Sequence, residues 1–501
     1  MKAIMLQGTA SDVGKSVLCT AFCRYFHEEG FRVAPFKSQN MALNSYVTSD
    51  GGEIGRAQGV QAEACGIEAN VDMNPILLKP KGDLVSEVIV HGRHFADVAA
   101  GSYRGPLLGQ LLTAASESLK RLSRKYEVLV IEGAGSPAEI NLKDRDIANM
   151  RIAQMADAPV LLVADIDRGG VFASIVGTLE LLEPEERARV KGLIINKFRG
   201  SKALLEPGIK WLENRTGIPV LGILPYVEID VDPEDSMSLG ALALKGNKQG
   251  ADLDVAVIRL PRISNFTDFL PLMDQDDLAV RYVKSVDELG NPDVIILPGT
   301  KNSMEDLAWL KVTGLVGEIL RLKERGSSVV GICGGYQMLG RKLTDPEGVE
   351  SSQTEQDGLG LLAMETRFVP GKQTVRAVGR PLASWGGSEL VEGYEIHLGR
   401  TILAAGTSPL FRLADGRLDG AVSGEGEVWG SYLHGLFDNP SFLRHWINHL
   451  RLKKGLPKKE ESGRNRREIR EAVYASLAGW IREHIDMQKV KEIMKLESAD
   501  S

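Results

Sequence analysis

The chain has 501 residues, 43% hydrophobic and 25% charged, with 67 acidic against 60 basic side chains and a formal net charge of −7. That length exceeds what one hydrophobic core serves and points to two or three domains, while the composition excludes disorder for most of the chain. The motif-bearing parts carry no basic tract, which argues against nucleic acid; the longest apolar runs, such as VLLVA at 160–164, are too short to cross a bilayer; and the start MKAIMLQGTASDVGKS turns polar too soon for a signal peptide, so the expected compartment is the cytoplasm, with no membrane partner.

In chain order, the β-branched runs KAIMLQG, RVAPFK, EVLVIEGAG, PVLLVADID, VKGLIINK and PVLGILP end in Gly, Asp, Pro or Lys and alternate with amphipathic stretches such as KSVLCTAFCRYFHEEG at 15–30. This alternation predicts βαβ units and a parallel sheet over residues 1–227. Residues 228–251 turn acidic and then polar and Gly-rich, a linker pattern. A second series, DVAVIRLP, PDVIILPGT, SSVVGICGG and EVWGSYLHG, predicts another mainly parallel sheet over 252–450, and the charged, helical 451–501 reads as a solvated tail. The expected fold class is α/β, with two domains of helix-flanked, mainly parallel sheets.

The N-terminal motif is GTASDVGKS at 8–16, between a strand and a helix. Its backbone N–H groups and the helix N-terminus favour phosphate, Lys15 reaches the terminal phosphates, and Ser16 offers a hydroxyl to Mg²⁺. The loop, Gly8, Thr9, Asp12, Val13, Gly14, Lys15 and Ser16, departs from G-x-x-x-x-G-K-[ST] because Thr9 stands where the first Gly is expected. A magnesium–triphosphate site also needs carboxylates at the C-terminal sheet edge. Glu132, directly after VLVI, is the best placed; Asp144, Asp146, Asp165 and Asp167 are further candidates, of which Asp144, Asp165 and Asp167 read equally as loop carboxylates or helix caps. Asn196 either contacts a purine edge or ends its strand.

Four cysteines, Cys19, Cys23, Cys65 and Cys333, form neither a disulfide framework nor a zinc spacing. In SSVVGICGGYQMLG, Cys333 closes a strand and two glycines follow, a turn that exposes sulfur at the sheet edge under a helix dipole. Gly334 and the loop at Gly299 are the expected oxyanion donors. A thiolate needs a base from elsewhere in the chain, and His434 in WGSYLHGLF competes for that role with His397 in GYEIHLGR.

GTASDVGKS, EGAGS, GLIINKFRG and LGILP resemble the dethiobiotin synthetase-like branch of phosphate-loop enzymes, which activate a carboxylate with ATP. The resemblance implies ATP and Mg²⁺ as cofactors, Lys15, Ser16 and Lys37 near phosphate, Glu132 and Glu53 as metal ligands, and Asn196 on adenine; Asp146, in the polar NLKDRDIAN, is expected to act in the synthetic chemistry of the same site. GICGGYQ resembles the elbow of class I glutamine amidotransferases, which implies L-glutamine as nitrogen donor, Gln337 in substrate binding and a Cys333–His434 pair. That family usually places Glu two residues after the histidine; here the run is His434-Gly435-Leu436, so either another group orients His434 or the pair works as a dyad.

Finally, FKSQNMALNS, EIGRAQ, MNPILLKP, DIDRGGVFAS, NKFRG, ISNFTDF and GYEIHLGRT together resemble the cobyric acid synthase family of cobalamin biosynthesis, over nearly the whole chain to about residue 450. This implies a corrinoid polycarboxylate substrate, amidated at its b, d, e and g carboxylates. The sister family that amidates the a and c carboxylates lacks SQNMALNS and MNPILLKP, and a phosphate-loop switch with an inert amidotransferase-like domain is the rival of another class. Oligomeric state is not readable from the chain.

Overall fold

A computed structural model describes residues 1–81, 85–99, 105–227, 246, 248, 250–424, 426–460 and 466–497; most of the expected 228–251 linker lies outside them. The chain divides into two units, one of Met1–Ala42, Gly52–Asp232 and Arg467–Ser501, the other of Leu43–Gly51 and Pro233–Arg466.

The first unit is built on a six-stranded sheet in the order Val220–Pro225, Val190–Phe198, Val160–Asp165, Lys2–Gly8, Val128–Glu132, Val33–Phe36. Every pairing is parallel, and the strands are the six runs expected from the sequence. Their interiors are buried and nearly continuously apolar, as strands covered on both faces require. A smaller sheet of Gln39–Met41, Ile76–Pro80, Val85–Val90 and Arg93–Ala99 accompanies them.

The C-terminal residues correct the sequence reading. Helices Arg466–His484 and Met487–Met494 are not a solvated tail: Tyr474, Leu477, Ala478, Ile481, Ile485, Met487, Val490 and Met494 are buried in the core of the first unit. The Asp486 N–H donates to Leu221 O at 2.8 Å, and a Cβ at Gly222 would lie 2.8 Å from His484 O, so glycine lets the chain pass. Residues 474, 477, 478, 481 and 485 share one helical face, which is why a segment rich in charge still packs.

The second unit carries a six-stranded sheet, Leu278–Val283, Leu253–Ile258, Val294–Leu297, Ser328–Ile332, Val428–Ser431, Ala421–Val422, parallel except for the last pair. It also carries a second, largely antiparallel sheet around the long strands Met364–Pro381 and Val391–Leu403, which the sequence reading did not foresee. Their alternating exposed and buried residues mark a half-covered face. Segment Leu43–Gly51 belongs to this unit: Arg376 donates to Val47 O at 2.9 Å and to the Tyr46 hydroxyl at 3.0 Å.

Candidate active sites

In the first unit, the strand Lys2–Gly8 runs into the phosphate-type loop and the helix Lys15–Glu28. Gly14 has φ +100°, and a Cβ there would meet Asn196 Nδ2 at 2.3 Å, so only glycine serves. Asp12 also adopts positive φ, 58°. The Lys15 ammonium donates to Ala10 O at 2.9 Å and Gly135 O at 3.0 Å, tying the loop to the EGAGS turn after the strand Val128–Glu132. Glu132, 1% exposed, gathers donors: the Ser16 hydroxyl and the Lys37 ammonium reach Oε1 at 2.8 Å each, and the Gln61 amide reaches Oε2 at 2.6 Å. Two lysines, a hydroxyl and a buried carboxylate thus converge at one sheet edge, an environment complementary to phosphate oxygens and a hard cation.

A magnesium ion usually takes one or two protein oxygens and completes its shell with phosphates and water. The Ser16 and Glu132 oxygens, 2.8 Å apart, fit such a sparse site. No cluster of three or more His, Cys, Asp or Glu suited to a metal occurs among the described residues.

Other residues singled out by sequence take different places. Glu53 pairs with Lys79 at 2.6 Å, both buried, so its charge is already met by an ammonium. Asp146 accepts the backbone N–H groups of Ala148, Asn149 and Arg151 at 2.7–3.2 Å, holding the start of the helix Met150–Met155. That is the cap reading, and it accounts for both carboxylate oxygens. Asn196 donates to Val13 O at 2.8 Å and accepts from the Lys197 N–H at 2.8 Å, bracing the loop. Asp165 and Asp167 face Lys197 and Arg199 at 2.8 and 3.0 Å, and Asp144 lies beside Arg145.

In the second unit, Cys333 stands between the strand Ser328–Ile332 and the short helix Gly334–Met338 with φ +50°, a strained conformation for a residue with a side chain. The turn is locked from below: a Cβ at Gly335 would sit 1.9 Å from Leu297 O, and one at Gly331 2.7 Å from Gly335 C. The Cys333 N–H donates to Ser431 O at 2.8 Å, and its thiol to Ile396 O at 3.5 Å. The PGT loop comes alongside: Cβ atoms built at Gly334 and Gly299 would lie 3.2 Å from Thr300 N and 2.9 Å from His434 Cε1, respectively.

His434, 1% exposed, is beside Cys333 and carries the orienting group the sequence left open. Its Nδ1–H donates to Asp268 Oδ2 at 2.7 Å, and Asp268 Oδ1 accepts the Gly435 N–H at 3.0 Å. Burial works to lower the imidazole pKa, but the Asp268 carboxylate and the Cys333 sulfur outweigh it and hold the ring up to about 10. Tyr394 stacks on the ring, with centroids 5.2 Å apart. Asp268 lies in the ISNFTDF run, on the 3₁₀ turn Phe266–Phe269 anchored by buried Phe266 and Phe269. Its separation from His434 by 166 residues left no local signal.

His397, the competitor, points elsewhere: Nδ1 donates to Gly399 O at 2.8 Å, the ring stacks on Tyr432 at 3.7 Å, and Nε2 lies 3.5 Å from Glu395. Gln337 is buried, accepting from the Ser303 hydroxyl at 2.6 Å and donating to the Tyr432 hydroxyl at 3.4 Å. The unit therefore presents a cysteine on a strained elbow, a buried histidine and a carboxylate behind it, the parts of nucleophilic acyl transfer.

Residues 4–239 match the CobQ/CobB/MinD/ParA nucleotide binding domain, and residues 254–442 the CobB/CobQ-like glutamine amidotransferase domain. A nucleotide-binding unit and a glutamine amidotransferase unit on one chain define a glutamine-dependent, amide-forming ligase. A cobyric acid synthase of Desulforamulus reducens is 53% identical, aligned over 99% of this chain and 98% of its own. Those of Geobacillus kaustophilus and Yersinia enterocolitica are each 51% identical over 98% of this chain and 97% and 98% of theirs. The chain belongs to the cobyric acid synthase family.

Proposed function

We propose that the enzyme amidates the b, d, e and g carboxylates of adenosylcobyrinic acid a,c-diamide in cobalamin biosynthesis, consuming ATP and glutamine at each step. The observation that carries this reading is the Cys333–His434–Asp268 arrangement in a chain whose other unit gathers Lys15, Lys37, Ser16 and Glu132. His434 takes the Cys333 proton, and the thiolate attacks the glutamine side-chain carbonyl. Backbone N–H groups at Gly334 and the Gly299–Thr300 loop face the developing oxyanion, His434 gives the proton to the amide nitrogen as the C–N bond breaks and ammonia leaves, and water, deprotonated by His434, then hydrolyses the thioester to glutamate and the free thiol. Gln337 lies one helical turn past the nucleophile, where it can hold the bound glutamine.

In the first unit Lys15 and Lys37 neutralise the phosphates of ATP while a substrate carboxylate attacks the terminal phosphorus, the bridging P–O bond breaks and ADP leaves, giving the acyl phosphate. Ser16 and Glu132 are the residues that would hold Mg²⁺, which would spread negative charge from the phosphates. Ammonia then displaces phosphate from the acyl phosphate to give the amide. Keeping both activities on one chain limits loss of ammonia to protonation and diffusion, and the reading implies a cytoplasmic enzyme. The test is a pair of variants: Cys333→Ala should abolish glutamine-supported synthesis and spare synthesis from ammonium salts, whereas Lys15→Ala should abolish both. Loss of both activities in Cys333→Ala, or survival of either in Lys15→Ala, contradicts the assignment.

A further inference from the structure

Asn265 is placed where the glutaminase base and a segment from the N-terminal half of the sequence meet. It is 3% exposed and left-handed, with φ +50°. Its Oδ1 accepts the Ser45 N–H at 2.8 Å, which fixes the carboxamide so that the NH₂ group points the other way, toward His434 Nε2 at 3.3 Å. The sulfur helps hold the ring's pKa up only as a thiolate; while Cys333 keeps its proton the mechanism needs a neutral imidazole, whose Nδ1–H is committed to Asp268 and whose one remaining lone pair, on Nε2, must take that proton. In that form the Asn265 amide, 3.3 Å away, donates to the ring that the Cys333 side chain also reaches. The Cys333 thiol has a second acceptor in Ile396 O, at 3.5 Å.

The reactive form of the pair, thiolate beside imidazolium, puts a hydrogen on Nε2. That hydrogen faces the hydrogens of the Asn265 amide, and the amide can turn its oxygen to the ring only by giving up the Ser45 N–H. Formation of the reactive pair and the seating of Ser45 are therefore opposed.

The same segment is held from a second side. Arg376, which binds Val47 O and the Tyr46 hydroxyl, is the direct cross-strand partner of Tyr394. Tyr394 exchanges both backbone hydrogen bonds with His434, at 2.9 and 3.1 Å, and stacks on its ring; Ile396, two residues on, supplies the carbonyl that takes the thiol hydrogen. The chain enters this segment from Ala42 and leaves it at Gly52, both residues of the nucleotide-binding unit.

We propose that Asn265 is a coupling residue: through Ser45 it caps the Nε2 lone pair of His434, keeping the glutaminase at rest until residues 43–51 shift in response to ATP and the carboxylate substrate. The proposal rests on the function assigned above and adds how hydrolysis is held back when no acyl phosphate waits for ammonia. Coupling of this kind is reciprocal, so the segment and the base bias one another equally.

The test uses the full-length enzyme at saturating glutamine, measuring glutamate release with and without ATP plus the corrinoid carboxylate. Asn265→Gly removes the carboxamide and keeps a residue that accepts positive φ; Ser45→Pro removes the N–H that locks it and leaves Asn265 in place. Both should raise basal glutamate release about tenfold or more and bring the ratio of stimulated to basal rate toward one, while ammonium-supported amide synthesis continues and reports an intact fold. An unchanged ratio in Asn265→Gly, or an equal fall of basal and stimulated rates in both variants, overturns the proposal and leaves the assigned function standing. Wild type releasing no glutamate under any condition, or Cys333→Ala releasing as much as wild type, would instead remove the assigned function and this proposal with it.

Discussion

Asp268→Asn isolates the charge behind His434 at nearly constant volume. The carboxylate accepts from both His434 Nδ1–H and the Gly435 N–H. An asparagine can accept only one of them and must turn its own N–H toward the other, which disturbs either the ring tautomer or the turn that carries it. The imidazole is pushed up to about 10 from 6.5 although it is buried, with Asp268 the leading cause of the rise. At about 1.4 kcal/mol per tenfold in acidity, the imidazolium gains on the order of 5 kcal/mol, shared between Asp268 and the sulfur. Losing the Asp268 share should lower glutaminase kcat/KM by about 10²- to 10⁴-fold, roughly 3–5 kcal/mol of barrier. The assay is glutamate release at varied glutamine, with ammonium-supported synthesis on the same preparation expected to stay within about twofold of wild type. A loss smaller than about threefold would show that Cys333 and His434 work as a dyad and that the Asp268 contact carries no catalytic weight.

Asp419 gives a pH-dependent prediction. Burial raises its pKa to about 6 against the Ser431 hydroxyl and the Tyr432 N–H, which favour the charged form, with Glu395 adding to the rise. Because the folded state holds this proton more tightly, stability contributed at low pH is lost as pH climbs from about 4 through 6, on the order of 3 kcal/mol in all. Asp419→Asn, neutral throughout, should therefore raise Tm at pH 8 with a gain that shrinks toward pH 4; an equal shift at both pH values would contradict the burial argument. Ile481→Ala, at a fully buried position in the C-terminal helix, should cost about 2–5 kcal/mol by denaturant unfolding of the full chain, whereas a solvated tail would lose almost nothing.

The sequence carried the parts whose physics is local. Six apolar runs of the first unit announced the six strands of its sheet because each is buried on both faces, and GTASDVGKS and GICGGYQ announced their turns because glycine is sterically required there. What it did not carry is whatever depends on distant pairing. Asp268 sits in a run with no acidic motif around it, and only folding brings it to Nδ1 of His434. The strands Met364–Pro381 and Val391–Leu403 alternate polar and apolar residues and are broken by glycines, so their pairing was hidden. The charges of 466–494 masked an apolar stripe spaced at three and four residues, and the assignment of Leu43–Gly51 to the second unit leaves no composition signal at all. Asp146 shows that position alone does not reveal local duties: folding sets three backbone N–H groups on its carboxylate, a task that nothing in the sequence around it announces.

The proposed function requires nitrogen to pass from glutamine, through hydrolysis at Cys333, into an amide made at the ATP-binding unit. Incubating the enzyme with amide-¹⁵N glutamine, ATP, unlabelled ammonium at low concentration and the corrinoid a,c-diamide, then weighing the product by mass spectrometry, tests that directly. The predicted product gains one ¹⁵N per new amide with little dilution by the unlabelled ammonium, and Cys333→Ala gives only ¹⁴N amides. Consumption of ATP with ¹⁴N product from wild type, or ¹⁵N product from Cys333→Ala, would contradict it.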